Sequence, residues 1–247
     1  DMAILGQAVT SQTPEYMHYS VMPSFSYKQR FHHATNLVLK SDPSVDGLKT
    51  GFTKAAGFNL ALTAHRPSGI EESPDRRLIV VVMGAKSGIK RAEIAHKLLN
   101  LGYAYSRSEI AIQDKQLIAE LPVVKSTLKM FKVEAKKPQI VTTSLYNNAM
   151  PIDLMNFDVV NSRVMQADAQ GMLTAIEPLT STKTHLNVEL NETLLTAPLE
   201  KMMHLAKVNV YQDNLLIQSF DIEDEVHIEQ ASWFERLVEW VKALLGF

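Results

Sequence analysis

Lys49, Thr50 and Gly51 stand together in the stretch "SVDGLKTGFTKAAGFNLALTAHR", residues 44–66. An ammonium and a hydroxyl on consecutive residues can hold a carboxylate through charge and a hydrogen bond. The glycine lets an incoming backbone come close. If the triplet closes a strand at the edge of a sheet, an extended peptide can pair with that edge by strand addition. Acting on such a peptide requires a nucleophile. The chain has no cysteine, so thiol nucleophiles, disulfides and cysteine-ligated zinc are excluded. Residues 1–48 contain neither a Ser-x-x-Lys nor a Ser-x-Asn pattern. A Ser-x-x-Lys at Ser126–Lys129 lies after the triplet, in a stretch of different texture, and reads as exposed strand with alternating polar residues.

Other constellations carry less. His32 and His33 are adjacent among eight histidines, yet neighbours on a strand face opposite ways and no third ligand has suitable spacing, so no metal is expected. No motif asks for a cofactor. With 25 basic and 27 acidic residues spread along the chain, there is no electrostatic footprint for nucleic acid. Lys86, Lys90 and Arg91 read as a solvated helix start, and the eleven methionines as core filler.

The elements that must position the triplet follow from periodicity. "DMAILGQAVTSQ" has Met2, Ile4, Leu5, Ala8 and Val9 at helical spacing behind Asp1, a residue suited to capping. Three extended runs follow, about Val45–Thr53, Phe58–His65 and Arg77–Met83; the loop "RPSGIEESPD" between the last two favours an antiparallel meander. Ala92, Ala95, Leu98 and Leu99 then predict a helix with Gly102 near its end. From about Ser106 to Ile228, short Val/Ile/Leu runs alternate with turn signals at Asn147-Asn148, Asp168–Gly171 and Gln212–Asn214, and "KVNVYQDNLLIQSF" reads as a β-hairpin. The fold class is therefore α+β. Residues 1–105 form a sheet-and-helix domain, 106–228 a β-rich domain, and 229–247 a terminal helix.

That helix, "SWFERLVEWVKALLGF", opens on a capping box of Ser232 and Glu235. Trp233, Phe234, Leu237, Trp240, Val241 and Leu244 share one half of the helical wheel, opposite Glu235, Arg236, Glu239 and Lys242. It is expected to lie in a membrane interface, or else to pack as an ordinary surface helix or dimer element.

"VDGLKTGFTKAAGFNL" resembles the Lys-Thr-Gly box of the low-molecular-mass penicillin-binding proteins, the serine D-alanyl-D-alanine carboxypeptidases of peptidoglycan. The resemblance extends through "DMAILGQAV", "TNLVL" and "RLIVVVMGAKSGIKRAEIAHKLLNLGY", more weakly through "LLTAPLEK" and "AKVNVY", and into the tail that such proteins use as a membrane anchor. It implies the C-terminal part of a penicillin-binding domain, with peptidoglycan stem peptides and β-lactams as ligands. Lys49 would support the nucleophile and bind the substrate carboxylate, Thr50 would donate to that carboxylate, and Gly51 would allow close approach. Thr53 would join the substrate contacts, the Phe52 backbone N–H would serve the oxyanion hole, and Arg91 would orient the carboxylate. The nucleophilic serine would be absent, because Ser-x-x-Lys and Ser-x-Asn precede the triplet in this family. The chain starts at Asp1 and reads as a processed or truncated product that needs the missing segment, or a second copy, to complete its first domain. The resemblance places it peripherally on the periplasmic face of a bacterial inner membrane. A non-catalytic membrane-surface spacer or protein-interaction module is the alternative.

Overall fold

The structure, a computed structural model, describes residues 1–146, 156–161, 163–177, 183–235 and 237–238. Two compact units emerge: residues 1–108 with 144–181, and residues 109–143 with 182–247. The stretch expected to be one β-rich domain is thus divided, and its middle part packs with the first unit.

The first unit starts with α1 (Met2–Gln12) and the short α2 (Met17–Ser20). A hairpin of β1 (Ser24–Tyr27) and β2 (Arg30–His33) follows, then β3 (Val45–Thr53), β4 (Gly57–Arg66), β5 (Arg76–Ala85) and α3 (Gly88–Tyr105). The meander expected over these runs forms as an antiparallel sheet in the order β3-β4-β5, which leaves β3 at an edge. On one face Leu60, Leu62, Ala64 and Val82 pack against Ala95 and Leu99 of α3 and Val38. Odd-numbered Ile79 points to the other face, where α1 comes near because Gly6 has no side chain.

At α1 the local reading changes. The apolar stripe of α1 stays largely exposed, with Met2, Ile4 and Leu5 outside and only Gly6 buried; Asp1 makes no side-chain cap. As expected, Gly102 lies near the end of α3, which runs on to Tyr105. An added methyl there would sit 3.1 Å from Leu78, so the glycine serves close helix-to-sheet packing. The β1–β2 hairpin has no Gly or Asn turn signal and could not be read from the sequence; Lys28 and Gln29 make its turn at positive φ.

Further strands are β6 (Ser106–Ile112), β7 (Leu117–Val124), β8 (Met130–Glu134) and β9 (Gln139–Ser144). The first unit regains β10 (Phe157–Val160), β11 (Arg163–Ala167) and β12 (Leu173–Ala175) as a three-stranded sheet, with Phe157 and Val164 buried beside Leu101 and Ala104 of α3. The expected turn at Asp168–Gly171 joins β11 to β12, with the Asp168 carboxylate accepting the Gln170 and Met172 amides. The Asn147-Asn148 turn lies outside the described residues.

The second unit is completed by β13 (Thr184–Leu190), β14 (Leu195–Thr196), β15 (Leu199–Gln212) and β16 (Leu215–Ile228). The expected hairpin is β15–β16, turning at Asp213-Asn214. Its core joins Ile112, Leu121, Val133, Leu195, Leu205, Val208 and Val226. Beyond it, Ser232 and Glu235 form the expected capping box: the Ser232 amide donates to the Glu235 carboxylate at 2.7 Å and the Glu235 amide to the Ser232 hydroxyl at 3.3 Å. Those bonds hold the Glu235 carboxyl below its usual pKa. Trp233, Phe234, Leu237 and Val238 are exposed, while Trp240, Val241 and Leu244 lie outside the described residues. Among the described residues no helix is long and apolar enough to cross a membrane.

Candidate active-site edge

Lys49, Thr50, Gly51, Phe52 and Thr53 are the last five residues of β3, on the open edge of the sheet. The strand is held from behind. Ser20 donates to the Asp46 carbonyl at 2.7 Å, and buried Asn36 donates to the Gly47 carbonyl at 3.2 Å while its side-chain oxygen accepts the Val38 amide. An added methyl at Gly47 would fall 2.6 Å from the Ser20 hydroxyl, so this approach requires glycine.

Toward its end the strand becomes open. Lys49 and Thr50 line a groove of about 710 Å³ whose other wall includes Phe25, His32 and His33 of the hairpin, with Thr35 beyond. Lys49 is exposed, donates to the neighbouring Thr50 carbonyl at 2.5 Å, and has no carboxylate partner among the described residues. Thr50 is half-buried, with its hydroxyl 2.5 Å from that of Thr35. Nothing lies within 4 Å of where a methyl on Gly51 would sit. That open space is what close approach of a ligand backbone needs.

Phe52 and Thr53 serve the turn as well. The Phe52 ring, 57% exposed, lies 4.3 Å from the Phe58 ring across the β3–β4 pair, so the side chain shields the strand end. The Thr53 hydroxyl oxygen accepts the Ala56 amide at 2.9 Å, fixing the turn that Gly57 completes at φ +67.

Arg91 is a different kind of residue from the one expected. It is buried, not solvated, and is not among the groove-lining residues. Its guanidinium donates to the Thr35 carbonyl at 2.6 Å and the Asn59 carbonyl at 3.3 Å, and burial lowers its pKa. Direct contact with a ligand carboxylate is not what this geometry provides.

Both Ser-x-x-Lys sequences are occupied by local structure. Ser126 is buried in the β7–β8 connection, not on an exposed strand, and its hydroxyl accepts the Leu128 amide at 3.2 Å. A second pattern, Ser87–Lys90, escaped the sequence reading. Ser87 caps α3 by accepting the Lys90 amide at 3.1 Å, and the Lys90 ammonium pairs with Glu93 at 2.7 Å. In neither case is a serine hydroxyl bonded to a lysine amine. His32 stacks on Phe25 at 5.0 Å, and His33 meets Phe31 edge-on at 4.8 Å. No group of three potential metal ligands occurs among the described residues.

Behind the sheet is a polar network with no counterpart in the sequence reading. Asp42 accepts Arg66 at 2.8 Å, His96 at 3.2 Å and the Ser44 hydroxyl at 2.6 Å. Burial pushes its carboxyl pKa up, but the Ser44 and Arg66 bonds outweigh burial and the net shift is downward. Arg66 also lies over the Tyr103 ring at 4.2 Å, and the Tyr103 hydroxyl lies 3.0 and 2.9 Å from the carbonyls of Ala64 and Arg76. This lock ties β4 and β5 to α3.

Comparison with known proteins now bears on the edge. Residues 1–87 match the D-alanyl-D-alanine carboxypeptidase family. Over 103 residues the chain is 40% identical to D-alanyl-D-alanine carboxypeptidase DacD of Salmonella typhimurium, which is 41% of this chain and 25% of that protein. The first part of the chain is therefore similar to the serine D-alanyl-D-alanine carboxypeptidases. Similarity to D-alanyl-D-alanine carboxypeptidase DacA of Escherichia coli is 22% identity over 245 residues, 99% of this chain and 51% of that protein. The chain thus spans between a quarter and about half of these curated relatives. In fold it is similar to penicillin binding protein 5 from Haemophilus influenzae, with TM-score 0.60 and 22% identity over 92% of this chain and 55% of that one. A peptidoglycan synthesis regulatory factor (PBP3) from Streptococcus pneumoniae gives 0.61 and 16% over the same shares. The likeness of these two solved structures is one of fold. The triplet edge lies within the matched residues.

Proposed function

We propose that this chain supplies the substrate-side wall of a serine D-Ala-D-Ala carboxypeptidase. The supporting observation is the triplet's position at an open sheet edge beside a groove, with Gly51 facing empty space. A peptidoglycan stem peptide would lie along β3, its terminal carboxylate held by Thr50 and Lys49. A nucleophilic serine from a segment outside these 247 residues would attack the penultimate D-Ala carbonyl. The oxygen of the tetrahedral intermediate would be stabilised by the Phe52 N–H. The C–N bond then breaks, terminal D-Ala leaves with a proton on its nitrogen, and water cleaves the resulting ester. A β-lactam would be taken at the same edge through its own carboxylate and form a longer-lived acyl-enzyme. By itself, this chain would retain binding but not turnover.

The exposed aromatic start of the tail, with Trp233 71% and Phe234 60% exposed, supports interfacial attachment at the periplasmic face of the inner membrane. The same feature supports the second reading, in which the second unit is a non-catalytic membrane-surface spacer or interaction module. Release of D-alanine from a pentapeptide tests the first. The enzyme in its full natural length is expected to release it and this chain alone is not; no release by either favours the spacer. Liposome binding that is equal with and without residues 232–247 would exclude the tail as the attachment.

A further inference from the structure

The 2.5 Å contact between the hydroxyls of Thr35 and Thr50 raises a question of proton accounting. Each hydroxyl has one hydrogen, so only one of the two can donate to the other. A carboxylate only accepts. If Thr50 is to donate to a ligand carboxylate, its hydrogen is committed outward and Thr35 must be the donor to Thr50. Thr35 is exposed, and among the described residues no other protein acceptor lies within hydrogen-bond distance of its hydroxyl, so only solvent competes with Thr50 for its hydrogen.

The backbone around Thr35 is clamped on three sides. The Ala34 amide donates to the Pro23 carbonyl at 2.8 Å, Arg91 to the Thr35 carbonyl at 2.6 Å, and Asn36 to the Gly47 carbonyl at 3.2 Å. The last of these bonds ties the Thr35 segment to the strand that carries Thr50. A hydroxyl reached from a clamped backbone has few positions open to it, and a donor polarised by a second hydroxyl behind it is a stronger donor.

Resting on the carboxypeptidase reading, we infer that Thr35 is a positioning residue for substrate carboxylate binding: it donates to Thr50, leaving the Thr50 hydrogen directed at the ligand. Buried Arg91 acts at one further remove, by holding Thr35. The site's dependence on Arg91 then follows without contact between the guanidinium and the substrate.

The test uses the enzyme in its full natural length and compares acylation by benzylpenicillin with acylation by its methyl ester, which lacks the anionic carboxylate. Thr35→Val keeps the shape and removes the donor. It is expected to slow acylation by the free acid about fivefold to tenfold, leave the ester rate and the melting temperature unchanged, and be rescued by Thr35→Ser to within about twofold. The double variant Thr35→Val/Thr50→Val should be no slower than Thr50→Val, since the two act through one bond. Equal slowing of acid and ester, or no rescue by serine, would overturn the inference in favour of a packing role. An unchanged Thr35→Val rate beside a slowed Thr50→Val would overturn it too, while leaving the carboxypeptidase reading intact. Unchanged rates in both would remove that reading as well.

Discussion

The end of β3 and the start of α3 are built from the same kinds of residue. One has Lys49, Thr50 and Gly51; the other has Ser87, Gly88 and Lys90. At α3 the hydroxyl accepts a helix amide and the ammonium pairs with Glu93, so both groups serve the helix. At β3 the ammonium has no carboxylate partner among the described residues, the hydroxyl meets only another hydroxyl, and the glycine opens on empty space. Residue type proposes a chemistry, and engagement by neighbours decides whether it remains available. By that criterion the edge strand is the candidate site and the helix start is a cap.

Exchanging single residues between the two regions should expose the difference. Lys49→Ala in the full-length enzyme removes a charge-assisted contact worth about 1.5–3 kcal/mol and should slow penicillin acylation about 10- to 150-fold, whereas Lys90→Ala should leave it unchanged. Gly51→Ala places a methyl in open space, so the melting temperature should hold while acylation falls about tenfold, a loss of about 1.4 kcal/mol. Ser87→Ala should do the reverse: a loss of about 1 kcal/mol in unfolding free energy by urea titration, and full acylation. The smallest expected effect concerns Asp42. Its folded pKa is depressed, so its contribution to stability is present above the unfolded value of about 3.9 and is lost as pH falls through the folded value. Urea titrations between pH 6 and pH 3 should show that loss in the parent chain, and less of it in Asp42→Asn.

What the sequence disclosed depended on how local the signal was. The three strands of the first sheet and the β15–β16 hairpin were legible, because apolar runs and turn residues stand next to one another in the chain. The capping box at Ser232 and Glu235 was legible for the same reason. The β1–β2 hairpin was not, since its Lys28-Gln29 turn lacks the residues that favour positive φ. Nor could periodicity show that the stripe of α1 remains exposed: the pattern says a face is apolar, not what covers it. For the site, the Lys-Thr-Gly edge was legible as a motif, but the contacts that distinguish its members were not. Thr35 lies fifteen residues from Thr50 and Arg91 fifty-six from Thr35, and folding alone brings them together.

The central claim is that this chain forms one wall of an acyl-transfer site whose nucleophile comes from outside it. Covalent labelling by a fluorescent penicillin, followed by mapping of the modified residue, tests this most directly. The account predicts a stable adduct on the full-length enzyme, at a serine outside these 247 residues, and none on the isolated chain. A stoichiometric adduct on the isolated chain at Ser87 or Ser126 would contradict it.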